Sequence, residues 1–255
     1  MRPLSVVVPY YRNPVMLDRQ LTVWAHEWPD LIKRQVEIVI VDDASPESAW
    51  AVFQSRALGC DLSFQIVRVK HDRPWHQHGA RNLGAHVATG RWLLMTDMDH
   101  VIPAAAIRAA LSVPRDDLSY FFRRVDAPAG RWSSTDCDLM APTLDREGNP
   151  KPHVNSFLVT RKRYWMAGGY DEDYCGVYGT DSLFRKRLLD VAPRLTLDVP
   201  LIRVAREVIA DASTVGLLRK EGRPTGAKKA VARAKKKRGE SDVIKTLQFE
   251  WERIL

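Results

Sequence analysis

Cysteine is scarce: Cys60, Cys137 and Cys175 are odd in number, far apart, and form no C-x-x-C pair. That argues against a disulfide framework and against a cysteine zinc site, and leaves buried, reduced thiols as the expected state. Long apolar runs are also missing. Nowhere do eighteen apolar residues follow one another, so no transmembrane segment is expected. Met-Arg-Pro-Leu-Ser leads directly into an apolar run with no signal-peptide pattern, and the expected compartment is cytoplasmic. No internal repeat is visible.

Acid is outnumbered by base. The 39 Lys and Arg against 31 Asp and Glu give a formal net charge of +8, which suits an anionic partner such as a nucleotide, a nucleic acid or a lipid headgroup. Most of the surplus sits in residues 219–238, RKEGRPTGAKKAVARAKKKR, where the only apolar residues are Ala and Val. Such a run reads first as a solvated helix or flexible tail, and second as an arm touching nucleic acid or an anionic surface. It has too little apolar surface to insert in a bilayer.

What is present is a globular pattern: 45% hydrophobic residues in 255, enough for one large domain or two small ones. Short β-branched or apolar runs appear at Leu4 to Val8, Ile38 to Val41, Phe64 to Val69 and Trp92 to Met95. Between them, Val15, Leu17, Leu21 and Trp24, then Ala49, Val52, Phe53 and Leu58, then Ala80, Leu83 and Val87, fall at helical spacing. Strand, helix, strand at this interval predicts a parallel sheet with right-handed crossovers and helices on both faces. Further strands are expected at Tyr120 to Val125 and Ser156 to Thr160, and a helix from about Asp181 to Leu189. Residues 126–154, rich in Pro, Gly, Asp and Ser, suggest a long excursion over the active face. Val243, Leu247, Trp251 and Ile254 suggest a closing helix packed on the domain.

Ligands of such sheets bind beyond the carboxyl ends of the strands. Those ends carry Pro9-Tyr10-Tyr11-Arg12-Asn13, Asp42-Asp43-Ala44-Ser45, His71-Asp72-Arg73 and Asp97-Met98-Asp99, so acidic and polar groups converge on one rim. Trp92 to Met95 reads as a buried strand that stops at two aspartates. Lone carboxylates are costly to bury, so two of them at the edge of a core need a cation, donors or water. Two residues apart on extended chain, Asp97 and Asp99 project to the same side. Taken alone, a D-x-D is more often a solvated loop.

Four blocks in register change that balance. SVVVPYYRN, IVIVDDAS, GARNLGAHVATGRWLLMTDMD and GGYDEDYCGVYGTDSLFRKRL together resemble the nucleotide-sugar-dependent glycosyltransferases of the GT-A fold, in particular family 2, over roughly residues 3 to 190. The resemblance implies an α/β, Rossmann-like, mostly parallel sheet flanked by helices, followed by a basic helical C-terminal extension. It also implies a nucleoside-diphosphate sugar donor, most commonly a UDP-sugar, with Mn²⁺ or Mg²⁺ held by Asp97 and Asp99. Pro9, Tyr11, Asp42, Asp43, Arg81, Asp97 and Met98 then fall on the donor side. A strand-end carboxylate at Asp42 or Asp43 suits a pyrimidine N–H or ribose hydroxyls. Arg81, beside Asn82 near a helix start, suits a phosphate.

The family's acidic pair before the acceptor helix is usually Glu-Asp, whereas this chain has Thr180-Asp181. Thr180 suits an N-cap, and Asp181 is expected as the catalytic base that takes the acceptor's proton, with inversion at the anomeric carbon. Arg187 and Leu188 fall where the family has them. The His that many members place after this helix is missing from Leu201-Ile202-Arg203-Val204, which leaves Arg203, Arg206, His153 or nothing in its stead. His100 suits a ligand, a phosphate contact or a structural role, and Trp75 a pocket wall or the core. His71, His76 and His78 lack a fourth ligand and i, i+4 spacing, so no zinc is expected there.

The expected organisation is a GT-A domain over 1–210, with a nucleotide-sugar half (1–100) and an acceptor half (101–210), then the basic extension over 211–255. Acceptors compatible with the charge are DNA bearing a hydroxylated base, as in virus-type DNA modification, or a cell-surface glycan or lipid-linked sugar. The competing reading is a catalytically silent nucleotide or nucleic-acid binder that kept the fold.

Overall fold

The computed structural model describes residues 2–56, 62–130, 132–205, 207–210 and 226–255. Four runs form the centre of one mixed sheet: β1 (Leu4–Tyr10), β2 (Val36–Asp42), β3 (Ser63–Val69) and β4 (Trp92–Met95). They pair in parallel in the order β4-β1-β2-β3. Their near-continuous apolar sequences follow from burial on both faces. On one face Val6, Val8, Ile38, Ile40 and Leu94 meet α1 (Pro14–Thr22), Trp24, Trp28 and α5 (Ala104–Leu111). On the other, Val7, Val39, Val41, Leu93 and Met95 meet α4 (Gln77–Val87), α6 (Arg161–Met166) and α7 (Asp181–Val191). The remaining α-helices among the described residues are α2 (Asp30–Lys33), α3 (Ala49–Gln54) and α8 (Ala227–Lys237). Gly84 lets α4 lie close on β1, because a Cβ there would stand 2.2 Å from Val7 Cγ1.

Beyond β4 the sheet turns mixed. β7 (Phe157–Thr160) is antiparallel to β4 and to β6 (Ser119–Asp126), and β6 runs parallel to β8 (Arg194–Arg203). β5 (His100–Val101) pairs antiparallel with the end of β8. β1 is flanked by β2 on one side and β4 on the other, so the chain reverses direction across the sheet there. Ligands of such sheets bind in the crevice at that switch point, beyond the carboxyl ends of the strands.

Three features differ from the sequence expectation. Residues 241–255 form no helix. They run extended, and β9 (Trp251–Arg253) pairs antiparallel with β3, so this segment closes the sheet edge. Leu247, one of the four residues at helical spacing, has φ +57, which a continuous helix does not accommodate. Thr180 occupies the N-cap position of α7 but does not cap it, since its hydroxyl donates to the Val177 carbonyl at 2.8 Å. β8 was not expected. Cys137 and Cys175 are free thiols, and Cys60, Leu58, Arg206 and residues 219–225 lie outside the described residues. Among the described residues no helix is long and apolar enough to cross a membrane.

Candidate active site

The rim is built under backbone strain. Non-glycine residues in the left-handed region number four on the described chain, and three of them, Arg12 (φ 47), Ala44 (φ 56) and Trp75 (φ 48), stand in the loops after β1, β2 and β3. Such conformations cost of order 1–3 kcal/mol each and persist where surrounding contacts impose them. The first two loops are tied together: the Arg12 N–H donates to Ser45 Oγ at 3.0 Å, and the Asp43 N–H to the Tyr10 carbonyl at 2.9 Å. Tyr11 turns toward the third loop and donates its hydroxyl to Asp72 at 3.0 Å. Pro9 sits half-buried at the end of β1.

The two acids of the second loop do different work. Asp42 is saturated internally: Oδ1 accepts from the Ser45 N–H (2.8 Å), and Oδ2 from the Ala49 N–H (2.8 Å) and Arg68 (2.9 Å). Through these bonds it shapes the loop and anchors α3. Asp43 bonds His76 Nδ1 at 2.8 Å through Oδ1. Its Oδ2 has no hydrogen-bond partner among the described residues. Burial raises the pKa of Asp43, with His76 acting against the rise.

The D-x-D pair leaves β4 in a turn, where Asp97 and Asp99 are half-buried while Met98 and His100 between and after them are buried. Both acids are thus partly open at the rim, on a turn closed by the His100 N–H to the Asp97 carbonyl (3.1 Å) rather than on the extended chain that the sequence suggested. Gln20, which the sequence did not single out, fixes this turn by donating to the carbonyls of Met98 and His100, both at 2.9 Å. Met98 itself packs in the core. Asp97 Oδ1 accepts from Arg81 and from Gln77 (3.1 Å). Asp99 Oδ1 bonds His100 Nδ1 at 2.7 Å. His100 stacks on His153 with ring centroids 4.1 Å apart, and His153 Nε2 lies 3.5 Å from Asp97 Oδ2. Burial and the neighbouring His100 hold the pKa of His153 well below the ordinary value, so its imidazole is neutral near pH 7. Burial would raise the pKa of Asp99, but the charge and hydrogen bond of His100 outweigh it and bring it down to about 2.

Asp97 Oδ2, the second oxygen of Asp99 and the neutral His153 are the available donors, and carboxylates with one imidazole suit Mn²⁺ or Mg²⁺. Among the described residues no three His, Cys, Asp or Glu groups enclose an ion by themselves. A bound ion would complete its shell with phosphate and water, which is the habit of these hard cations. Of the other groups expected after the acceptor helix, Arg203 is turned to Asp126 at 2.6 Å.

Arg81 joins the two halves of the site. It is fully buried, and its guanidinium donates to Asp97 on one side and to Asp181 Oδ1 on the other, at 3.0 Å. The sequence reading placed it on a phosphate; the structure gives it two carboxylates. Asp181 opens α7 and lies 3.7 Å from His78 Nε2, an ion-pair separation. Burial opposes ionisation of Asp181, yet His78 and Arg81 prevail and hold its pKa well below the carboxylate range. Asn82 binds the acceptor-side block to α4, donating to the Tyr170 carbonyl (2.7 Å) and Glu172 (2.9 Å) and accepting from Tyr164 (2.9 Å). Arg187 braces the same turn through the carbonyls of Ala167 and Gly169.

The Glycosyl transferase family 2 model matches residues 5–149, more than half of the chain. The chain belongs to this family. No curated protein matches the sequence. Solved structures that share the fold include S. aureus TarS 1-349 in complex with UDP, with 16% identity and a TM-score of 0.57 over 80% of this chain and 61% of that one. The mannosyltransferase PcManGT from Pyrobaculum calidifontis in complex with GDP-Man and Mn²⁺ gives 18%, 0.55, 80% and 57%. GalNAc-T7 with UDP, GalNAc and Mn²⁺ gives 15%, 0.57, 80% and 44%. Likenesses at this identity establish the GT-A fold, and the family 2 chain described here spans less than two thirds of each of these three structures. The family match stops short of Asp181.

Proposed function

We propose that this family 2 chain is an inverting, metal-dependent glycosyltransferase that moves a sugar from a nucleoside-diphosphate sugar to an acceptor hydroxyl. The observation that carries the reading is the single buried guanidinium of Arg81 spanning Asp97 and Asp181, residues 84 positions apart in the chain. One cation between them fixes the distance from the diphosphate side to the acceptor side. Asp43, with its outward oxygen, is the residue suited to ribose or base, and Tyr11 and Pro9 line the same end of the crevice. UDP is the expected carrier, and the UDP- and Mn²⁺-bound neighbours favour it.

In this reading the acceptor hydroxyl attacks the anomeric carbon opposite the departing diphosphate. Its proton passes to Asp181 as the new C–O bond forms and the C–O bond to phosphate breaks. A base with so low a pKa is ionised at every pH near neutral, and it accepts the proton late, once the attacking oxygen has become acidic. A divalent ion held by Asp97, Asp99 and His153 would supply charge stabilisation to the leaving diphosphate. Trp75 and Tyr178, with ring centroids 5.2 Å apart, offer an aromatic edge for a sugar or base near Asp181. The acceptor is a polyanion such as DNA with a hydroxylated base, or a cell-surface glycan or lipid-linked sugar.

Incubation with a panel of UDP- and GDP-sugars plus Mn²⁺ is expected to release nucleoside diphosphate. Loss of turnover in Asp99→Ala and in excess chelator, and an inverted product anomer by NMR, complete the expectation. Nucleotide binding without turnover on any donor would instead support the silent binder.

A further inference from the structure

α8 is a helix held on the protein by a cation. Lys235, only 2% exposed, donates to Asp171 Oδ2 at 2.6 Å, Asp173 Oδ2 at 3.1 Å and the Val243 carbonyl at 2.5 Å. Burial would lower its pKa, but the two aspartates reverse the sign and raise it, so the anchor stays charged. No apolar stripe does this job, because the uncharged residues of the helix are Ala227, Ala230, Val231, Ala232 and Ala234.

The other cations of α8 are spare. Lys228, Lys229, Arg233, Lys236 and Lys237 are exposed, and none has an acidic partner among the described residues. At about 100° per residue they fall at roughly 0, 100, 140, 80 and 180° round the axis, one continuous face, with Lys235 and Val231 outside that arc. From Lys228 to Lys237 the helix rises about 13.5 Å, with the spare cations at about 0, 1.5, 7.5, 12 and 13.5 Å along it, a length that spans about five phosphates of one strand of duplex DNA. Too little apolar surface is left for an interfacial membrane helix, which needs Leu, Phe or Trp on its other face.

The anchor also fixes where this face lies. Asp171, bonded by Lys235, gives its carbonyl to His78 Nδ1 at 3.2 Å, and His78 stands 3.7 Å from Asp181. We propose that the exposed face of α8 docks the phosphate backbone of duplex DNA and holds it on the acceptor side of the site. Only this orientation rests on the proposed function; the docking itself does not.

The test measures anisotropy of a labelled duplex of arbitrary sequence against the full chain without donor, from 50 to 200 mM salt. Five phosphate contacts give a slope of log K against log salt of about −4.5, a loss of about 500-fold over that range. The triple variant Lys229→Ala/Arg233→Ala/Lys236→Ala, with its melting curve checked, is expected to bring the slope to about −2 and to lower affinity at least tenfold at 50 mM salt. Phosphatidylserine vesicles should bind more weakly than duplex at equal salt. Wild-type affinity weaker than about 100 µM at 50 mM salt, or vesicle binding that exceeds duplex binding, would overturn the proposal without any variant. So would a folded triple variant with an unchanged slope. Donor turnover is read separately, so the reaction and the docking surface can fail independently.

Discussion

Arg81 donates from Nη1 to Asp181 Oδ1 at 3.0 Å while its other terminal nitrogen bonds Asp97, so one buried cation sets the electrostatics of both carboxylates. Lysine offers a point charge that reaches one of them. Arg81→Lys is therefore expected to lower kcat by about a hundredfold, the scale of a misplacement near 1 Å. The pH profile carries the sharper test. His78 and Arg81 hold Asp181 well below the carboxylate range, so removing the charge in Arg81→Gln raises that pKa. The wild-type kcat should be flat below neutrality as far as the protein stays folded, whereas Arg81→Gln should acquire an acid limb moved up toward ordinary carboxylate values. A limb that does not move would take Arg81 out of the acceptor chemistry.

His153 reaches the D-x-D pair from the end of the excursion between β6 and β7. Its Nε2 is 3.5 Å from Asp97 Oδ2, and burial beside His100 keeps the ring neutral and able to bind a metal. His153→Ala is expected to raise the Mn²⁺ concentration needed for half-maximal activity by about tenfold, within the range seen when a supporting ligand is lost. A titration of initial rate against Mn²⁺ measures this. An unchanged midpoint would leave the two aspartates and the diphosphate as the whole site.

These two arrangements show what the sequence could and could not carry. The parallel strands were legible because double burial writes continuous apolar runs, and β4 came out at Trp92–Met95 as read. The turn that carries Asp97 and Asp99 was not, since an extended chain was the simpler continuation of β4. The partition of labour between Asp42 and Asp43 was not, since two adjacent acids look alike until Ser45, Ala49 and Arg68 are seen to consume the first. The carboxylate contacts of Arg81 were not legible either, because the one to Asp181 spans 100 residues. The C-terminal segment misled for a different reason. Its apolar residues fall three and four apart, yet the open edge of β3 takes Trp251–Arg253 into the sheet and overrides the helical period.

Glu37 is a buried carboxylate on β2, far from the crevice, and it ties three elements. It accepts from Ser5 Oγ (2.5 Å), from Thr89 N and Oγ1 (both 2.9 Å), and from Gln65. Burial pushes its pKa up, but these donors win and the folded-state value lies below the ordinary 4.5. A depressed folded pKa means that the stabilisation is present above pH 4.5 and is lost as the pH falls through the folded value. Glu37→Gln turns an acceptor into a donor amid four donors, which is expected to cost about 1–3 kcal/mol. Urea unfolding at pH 7 should show this cost, and the gap between variant and wild type should narrow toward pH 3. A gap independent of pH would mean that the ionised form of Glu37 contributes nothing.

Gly79 lies in the first turns of α4 with ordinary helical φ, so helix propensity alone says that alanine there should stabilise by about 0.5–1 kcal/mol. The packing says the opposite. A Cβ at residue 79 would stand 2.2 Å from His76 Nε2 and 2.8 Å from Phe249 Cε1. His76 is the ring that orients Asp43, and Phe249, from the segment that closes the sheet edge, packs edge-on against it at 4.4 Å. Gly79→Ala must therefore displace His76, release the Asp43 carboxylate, and loosen the closing segment. The expected result is a lower melting temperature together with a donor KM raised severalfold and a nearly unchanged kcat, because in the proposed reaction the reacting atoms lie at Asp97 and Asp181. Phe249→Ala, which frees the His76 ring without a clash, should raise the donor KM in the same direction. A stabilised Gly79→Ala protein with wild-type KM would show that His76 has room to move, and that Asp43 does not depend on it.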